Sequence, residues 1–443
     1  MIHTYIYWLL YTTINNCMIH ETYCTYPFDA LAVKSWRDGL ASRVTPCCNM
    51  KNGRDDDNDP MNVQPLVKQG KSLEQIFYSK QFNKLRSDLL NGIKNDACEY
   101  CWRLERKTGH SPRTVEIAIL DEPIIEPKLA RFDTMLDENC NLRCRMCTPA
   151  CSNSLRKDVT LIKKSNLPMP EYFGPAVGSR EEKDPSGVMS FNAPDDTNQK
   201  TLVELCNTHL NELKFTGGEP TTSKTFWKIV DNIERPQDMI LNITTNGTKF
   251  NDKFTDAIKK FKSNKITVSI DGTHKTYEYI RYPFNWRKLE QNIERLCDKM
   301  EEGRLELMFC SVLTIYNILN IRNLIDWIHQ HNMDTVHPIH FNCIVDPHPA
   351  DSCLDVKWAS KELLDIALKN INVALEESNR YTLTHLRRLR DYLKWCLKAE
   401  HDPDYLNQRR QKLLLDTTTL DSVRNQSYED ILNPQVVNFI KSI

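Results

Sequence analysis

Residues 140–147 read Cys140-Asn141-Leu142-Arg143-Cys144-Arg145-Met146-Cys147, three cysteines spaced CxxxCxxC. The run follows ARFDTML (130–136), a short stretch with the composition of a strand. A loop at the C-terminal end of a strand is where a barrel of parallel strands builds its active site. Three thiolates can hold three irons of a 4Fe–4S cubane and leave the fourth iron open to another ligand. Zinc is the alternative, with Cys151 as a fourth ligand.

Downstream, short apolar runs alternate with longer amphipathic ones. ELKFTG, MILNITTNG, KITVSIDG, ELMFCSVLTIYN and VHPIHFNCIV read as strands. FWKIVDNIERP, FTDAIKKFKS, WRKLEQNIERLCDKM and IRNLIDWIHQH read as helices. Strand–helix alternation predicts an α/β fold with a parallel sheet, and six strands predict a partial barrel. Short polar and glycine-bearing segments fall at successive strand ends. Gly217-Gly218-Glu219-Pro220 follows ELKFT, Thr245-Asn246-Gly247 ends the next strand, and Ser269-Ile270-Asp271-Gly272 the one after. Each alone could be an ordinary turn. Paired glycines let backbone approach a ligand closely, and Glu219 is an anionic acceptor suited to an ammonium group.

In this order, the motifs resemble those of the radical S-adenosylmethionine (SAM) superfamily, over roughly residues 130–345. The resemblance implies a (β/α)6 barrel whose Cys140, Cys144 and Cys147 ligate a 4Fe–4S cluster and whose SAM chelates the open iron. It implies an enzyme: reductive cleavage of SAM to a 5′-deoxyadenosyl radical, which takes a hydrogen atom from a substrate. Met146 falls where a side chain packs near the adenine, and Gly217, Gly218 and Glu219 where the methionine amino group is met. Asn246, Ser269 and Asp271 fall at ribose or carboxylate contacts. Val312 and Asn317 are placed either beside the adenine or in the core. A reductant such as flavodoxin or ferredoxin is implied as a partner.

A second resemblance lies in the first hundred residues. Cys24-Thr25-Tyr26-Pro27-Phe28, then Pro46-Cys47-Cys48, then Ala97-Cys98-Glu99-Tyr100-Cys101-Trp102 are similar to the SPASM and twitch auxiliary-cluster domains. Here the block precedes the barrel, as in twitch-type radical SAM proteins of phages and environmental bacteria. Glu278-Tyr279-Ile280-Arg281-Tyr282-Pro283 is similar to that group as well. The resemblance implies a second iron–sulfur cluster on Cys24, Cys98, Cys101 and one of Cys47 and Cys48. Thr25 stands where the usual first motif has proline. A structural zinc site is the alternative. Relatives with auxiliary clusters often modify peptides, which makes a peptide or protein the first substrate expectation and a nucleotide, sugar or other small molecule the second. A zinc or redox sensor on the same scaffold is the non-enzymatic reading, against which GGEP beside CxxxCxxC argues.

The remaining chain bounds these expectations. It has 443 residues, 40% hydrophobic and 26% charged, with a net charge of −1, which argues against nucleic-acid binding by bulk charge. Sixteen cysteines in short-spaced groups without a secretion signal point to metal or cluster ligation in the cytoplasm. Residues 1–17 are apolar but too short and too broken by Thr and Asn to span a membrane; they are read as a peripheral segment or as an extension upstream of a start at Met18. Four regions follow: leader 1–17, cysteine-rich domain 18–125, radical SAM core 126–350 and a C-terminal helical segment 351–443. Ser72–Ile93 reads as a pair of amphipathic helical stretches, with Ser72 and Glu74 suiting a start and Gly92 a stop. Arg54–Pro60 and Gly178–Lys200 read as polar loops, the second as an insertion over the site. Arg387, Arg388 and Arg390 are assigned to a solvated helix face, with a substrate-anion site as the alternative. His337 and His340 are assigned to core or cavity lining, and Cys17, Cys151, Cys206, Cys297, Cys310, Cys343, Cys353 and Cys396 to unligated thiols.

Overall fold

Period-two alternation in the strand runs is what sets the sheet. In Ser263–Ser269 every second residue is buried, and the same holds in Ile240–Thr245 and Leu305–Val312. The computed structural model describes residues 20–33, 36–37, 40–41, 44–50, 61–118, 120, 122–149, 151–173, 197–333, 339–344, 352–377 and 380–443. The leader 1–17, Met18, the Arg54–Pro60 loop and His337 lie outside them. So does the polar loop from Gly178, except that its last residues open the helix Thr197–Thr208.

Contacts divide the chain into two units. One comprises the residues up to Lys34 and Leu40–Asp133, the other Ser35–Gly39 and Thr134–Ile443. The strands are β1 (Ala30–Val33), β2 (Trp36–Arg37), β3 (Leu40–Ala41), β4 (Val44–Thr45), β5 (Arg131–Met135), β6 (Glu212–Thr216), β7 (Ile240–Thr245), β8 (Ser263–Ser269), β9 (Leu305–Val312) and β10 (Ile339–Ile344).

In the second unit β6 to β10 are neighbours in chain order, and each consecutive pair is parallel. The helices Lys224–Asn232, Asp252–Ile258, Trp286–Lys299 and Ile321–Met333 alternate with them. This is the expected strand–helix alternation with a parallel sheet, here of five consecutive strands. Leu213, Phe215, Leu241, Ile243, Ile266, Val268, Leu307 and Phe309 are fully buried on one face of the strands. Each such side chain contributes about 1.5–3 kcal/mol on burial. The alternate residues are polar and only half-buried, in layers set by the register. Lys214, Asn242, Lys265 and Glu306 form one layer, Thr244, Thr267 and Met308 the next, and Ser269, Cys310 and Asn342 the third. Glu212 ties off the N-terminal end by accepting from Asn242 Nδ2 at 2.7 Å and Lys265 Nζ at 3.2 Å. The third layer, toward the C-terminal end, carries Ser269, which is half-buried.

The C-terminal segment is more extensively helical than the Lys361–Ala399 stretch read from sequence. Lys361–Glu377 and Arg380–Lys398 are followed by Pro403–Arg424 and Pro434–Lys441. Asp402 caps the third of these through Tyr405 N, and Asn425 ends it in the left-handed region at φ 52°. Arg388 corrects the solvated-face reading. It is buried and donates to Asn342 Oδ1 and Cys343 O, each at 2.5 Å, fastening its helix to β10. Arg387 is exposed and Arg390 pairs with Asp391.

In the first unit β1 and β4 pair antiparallel, Ala32 opposite Thr45. Leu73–Phe77 and Lys80–Leu90 are capped by Ser72 and Ser79, the first in a reciprocal capping box with Gln75. Glu99–Thr108 and Pro112–Ile117 complete it. No helix among the described residues is long and apolar enough to cross a membrane.

A buried carboxylate anchors the second unit. Asp158 is fully buried, with Arg424 Nη2 at 2.7 Å and Arg143 Nη1 at 2.5 Å. Asp158→Asn leaves two guanidiniums against a neutral amide. The expected cost is about 3–5 kcal/mol of unfolding free energy, read by urea denaturation. A loss below about 1 kcal/mol would mean that water screens the group.

Candidate active site

The cysteine run lies in an irregular loop after β5, so its shape comes from bonds to other elements. Arg143 N donates to Tyr282 O at 2.7 Å and Arg145 N to Ile280 O at 2.8 Å. Ser152 and Ser154 hydroxyls donate back to Leu142 O at 2.7 Å and Cys140 O at 2.6 Å. Cys140 N donates to Asn153 Oδ1 at 3.2 Å. Arg145, between two of the cysteines, is fully buried. Its guanidinium lies 3.5 Å from the centre of the Tyr279 ring and donates to Tyr279 O, Gln426 Oε1 and Asp421 of the helix Pro403–Arg424.

The three thiols are electrostatic neighbours in every pairing. Burial, then Cys144, pushes the Cys140 thiol up to about 12. Burial raises Cys144 too, opposed by Arg281. The sulfurs already receive donors: Leu142 N at 3.5 Å and Asn246 Nδ2 at 3.9 Å on Cys140, Arg281 Nη1 at 3.8 Å on Cys144. All described cysteines are free of disulfides. Three free thiols, two of them met by N–H donors, fit an iron–sulfur cluster, whose ligand sulfurs carry negative charge. Among the described residues no three His, Cys, Asp or Glu are drawn together as tightly as a single ion requires.

The GGEP turn docks on this loop by its own backbone. Gly217 has φ 75° and Gly218 φ 52°. A Cβ on Gly218 would meet Asp137 O and Asn139 O at 2.6 Å, and one on Gly217 would meet Met135 Cγ at 1.9 Å. The glycines are thus required for close approach to residues 135–139 of the chain itself, a role that sequence reasoning had given to a ligand. Glu219 N then donates to Asn139 O at 2.6 Å. The Glu219 carboxylate is buried and occupied. Oε1 accepts from Thr221 N at 3.1 Å, Thr221 Oγ1 at 2.6 Å and Thr245 Oγ1 at 2.7 Å, and Oε2 from Asn246 N at 2.6 Å. Burial raises its pKa, against which these donors act.

Other expected contacts divide. Asn246 Nδ2 donates to Asn141 Oδ1 at 3.0 Å, and Thr248 saturates its Oδ1. Ser269 is half-buried and Met146 half-buried. Asp271 is fully buried; it accepts from Val312 N at 2.7 Å and Ser311 Oγ at 3.4 Å and pairs with Arg281 Nε at 2.6 Å. Asn317 closes a turn, accepting from Thr314 N and donating to Val312 O. Both are engaged inside the protein, as the core alternative for Asn317 had it. Arg281, Thr221, Thr245 and Asp158 were missed by sequence reasoning. Of these Arg281 and Thr245 lay in quoted motifs.

In the first unit Cys24, Cys47, Cys98 and Cys101 are electrostatic neighbours in all six pairings. Burial raises all four thiols, and the neighbouring thiols raise Cys24, Cys47 and Cys98 further. Arg113 is buried beside them, held by Glu105 and by the carbonyls of Glu21 and Tyr23. Cys48 neighbours Cys47 and Tyr26.

Residues 137–328 match the family model of the Radical SAM superfamily. The segment holding the cysteine loop and the GGEP turn lies within this match, which covers less than half of the chain. Solved structures similar to it include native anSMEcpe with bound AdoMet, at TM-score 0.37 and 16% identity over 56% of this chain and 62% of that one. Streptococcus suis SuiB bound to precursor peptide SuiA matches at TM-score 0.36 and 12% identity, over 72% and 60%. SuiB bound to S-adenosylmethionine matches at 0.34 and 12%, over 73% and 64%. The chain spans about three fifths of the length of these structures. No curated protein matches.

Glu219→Gln tests the turn. The amide keeps the shape but turns one acceptor into a donor facing Asn246 N–H or the threonine hydroxyls. The expected loss is about 1–3 kcal/mol, read as a lower melting temperature. Unchanged melting would mean that the turn holds without the carboxylate.

Proposed function

We propose that this chain is a radical SAM enzyme that acts on a peptide or protein. Cys140, Cys144 and Cys147 hold the 4Fe–4S cluster, and SAM binds between the cysteine loop and the ends of β6 to β8. The observation that carries this reading is the direct docking of the three-thiol loop on the GGEP turn, inside the stretch that matches the family. When bound, the cluster and SAM supply one-electron cleavage of a carbon–sulfur bond and the 5′-deoxyadenosyl radical that takes hydrogen from the substrate. The chain's own residues bind and orient. Glu219 Oε2, with one protein donor, keeps a lone pair for the methionine ammonium. Asn246 holds the loop through Asn141 and Cys140 Sγ, and Ser269 offers a half-buried hydroxyl at the end of β8. Met146 is the adenine neighbour, and Asp271 acts from behind through Arg281. Electrons come from a flavodoxin- or ferredoxin-type protein.

A second cluster on Cys24, Cys47, Cys98 and Cys101 belongs to the same reading, with Cys48 as the spare thiol. Its support is the six-fold mutual neighbourhood of those four sulfurs. Four protein ligands saturate a cubane, which suits electron relay. The peptide substrate rests on the likeness of this cysteine set to auxiliary-cluster domains.

The chemistry is checked by anaerobic incubation with SAM and dithionite. 5′-Deoxyadenosine should form with the wild-type chain and vanish in the Cys140→Ala/Cys144→Ala/Cys147→Ala variant; undiminished formation there would sink the assignment. That variant also tests the second site. It should retain about four irons, lose them on adding Cys47→Ala and keep them on adding Cys48→Ala. One zinc in place of iron would make the set a structural zinc site.

A further inference from the structure

Among the described residues Arg281 is the one cation that touches a sulfur of the cysteine loop. Its Nη1 lies 3.8 Å from Cys144 Sγ, and its Nε lies 2.6 Å from Asp271 Oδ2. All three groups are buried: Cys144 is 7% exposed, Arg281 8% and Asp271 0%. The other Asp271 oxygen is fixed by Val312 N and Ser311 Oγ at the end of β9. The backbone on both sides of Arg281 grips the loop on both sides of Cys144, through Ile280 O to Arg145 N and Tyr282 O to Arg143 N. Guanidinium and sulfur are therefore held in register from two directions. Asp271 pairs with the same guanidinium through a different nitrogen and offsets part of its charge.

We infer that Arg281 is a positioning residue that orients Cys144 and sets the reduction potential of the cluster it ligates, with Asp271 as the counter-charge that tunes it. This rests on the cluster assignment made under the proposed function. The physical reason is that the potential of an iron–sulfur cluster depends on net charge, on hydrogen bonds to its sulfurs and on burial. A buried cation donating to a ligand sulfur favours the reduced, more negative state. A carboxylate behind that cation weakens the effect. The two residues therefore act with opposite signs, which a merely structural pair would not do.

The experiment is an anaerobic redox titration of the full-length reconstituted protein, followed by electron paramagnetic resonance. The signal read is the one whose line shape changes on adding SAM, which separates this cluster from any in the first unit. Iron content is measured in each sample. Arg281→Met should shift the midpoint potential to more negative values. Asp271→Asn, which keeps the shape and leaves the guanidinium uncompensated, should shift it to more positive values. Arg281→Lys should fall between Arg281→Met and wild type. Should Arg281→Met take up no iron, the Asp271→Asn shift decides alone. Unmoved potentials at full iron content, or shifts of the same sign in Arg281→Met and Asp271→Asn, overturn the inference. A wild-type protein without any SAM-responsive signal would instead overturn the cluster assignment itself.

Discussion

A loop that presents three thiols to one centre cannot be a helix or a strand, so its backbone polar groups need partners from elsewhere. Here the partners come from four directions. Tyr282 and Ile280 carbonyls take the N–H groups of Arg143 and Arg145. Ser152 and Ser154 reach back from the following turn. Asn246 arrives from the end of β7, and the GGEP turn from the end of β6. Each bond is worth only about 0.5–1.5 kcal/mol net, but a buried group left without one costs about 1–3 kcal/mol. The loop is therefore specified by several elements together, and a fault in any of them is felt at the sulfurs.

Charge behind the loop follows the same logic. Arg143, Arg145, Arg281 and Arg424 face Asp158, Asp271 and Asp421. That leaves one guanidinium in excess of the carboxylates, close to the sulfurs of the cysteine loop. Ion pairs this deep are weak evidence for net stability. Their value here is geometric, since planar guanidiniums fix direction and stack on Tyr279 and Tyr282. The helix Pro403–Arg424 enters the site through this network, although it lies far along the chain from the cysteines.

Glu219 joins the two strand ends on which the proposed SAM site rests. Its carboxylate spans Thr221 of its own turn and Thr245–Asn246 of β7. The paired glycines before it let the turn sit within van der Waals limits of residues 135–139. A motif that reads as ligand binding is thus first a packing device. Its exposure to a ligand is what remains after the protein's own donors have been served.

The sheet was legible from the chain. β5 to β10 each lie within one of the runs ARFDTML to VHPIHFNCIV or begin at most two residues before it, because a strand with one buried face must alternate and the alternation is local. The cysteine run, GGEP and the order of the strand-end motifs were legible for the same reason, as contiguous residues. Three things were not. The helix Pro403–Arg424 buries Arg409, Asp416, Thr417, Asp421 and Arg424, polar groups whose partners lie on other elements, so no apolar period announces it. Asp271 is spent on Arg281, Ser311 and Val312, contacts made only when β8 and β9 lie side by side. The gathering of Cys24 and Cys47 with Cys98 and Cys101 brings together residues separated along the chain by more than seventy positions at the widest. Spacing could propose that set but could not say which residues so far apart in the chain the fold would bring together.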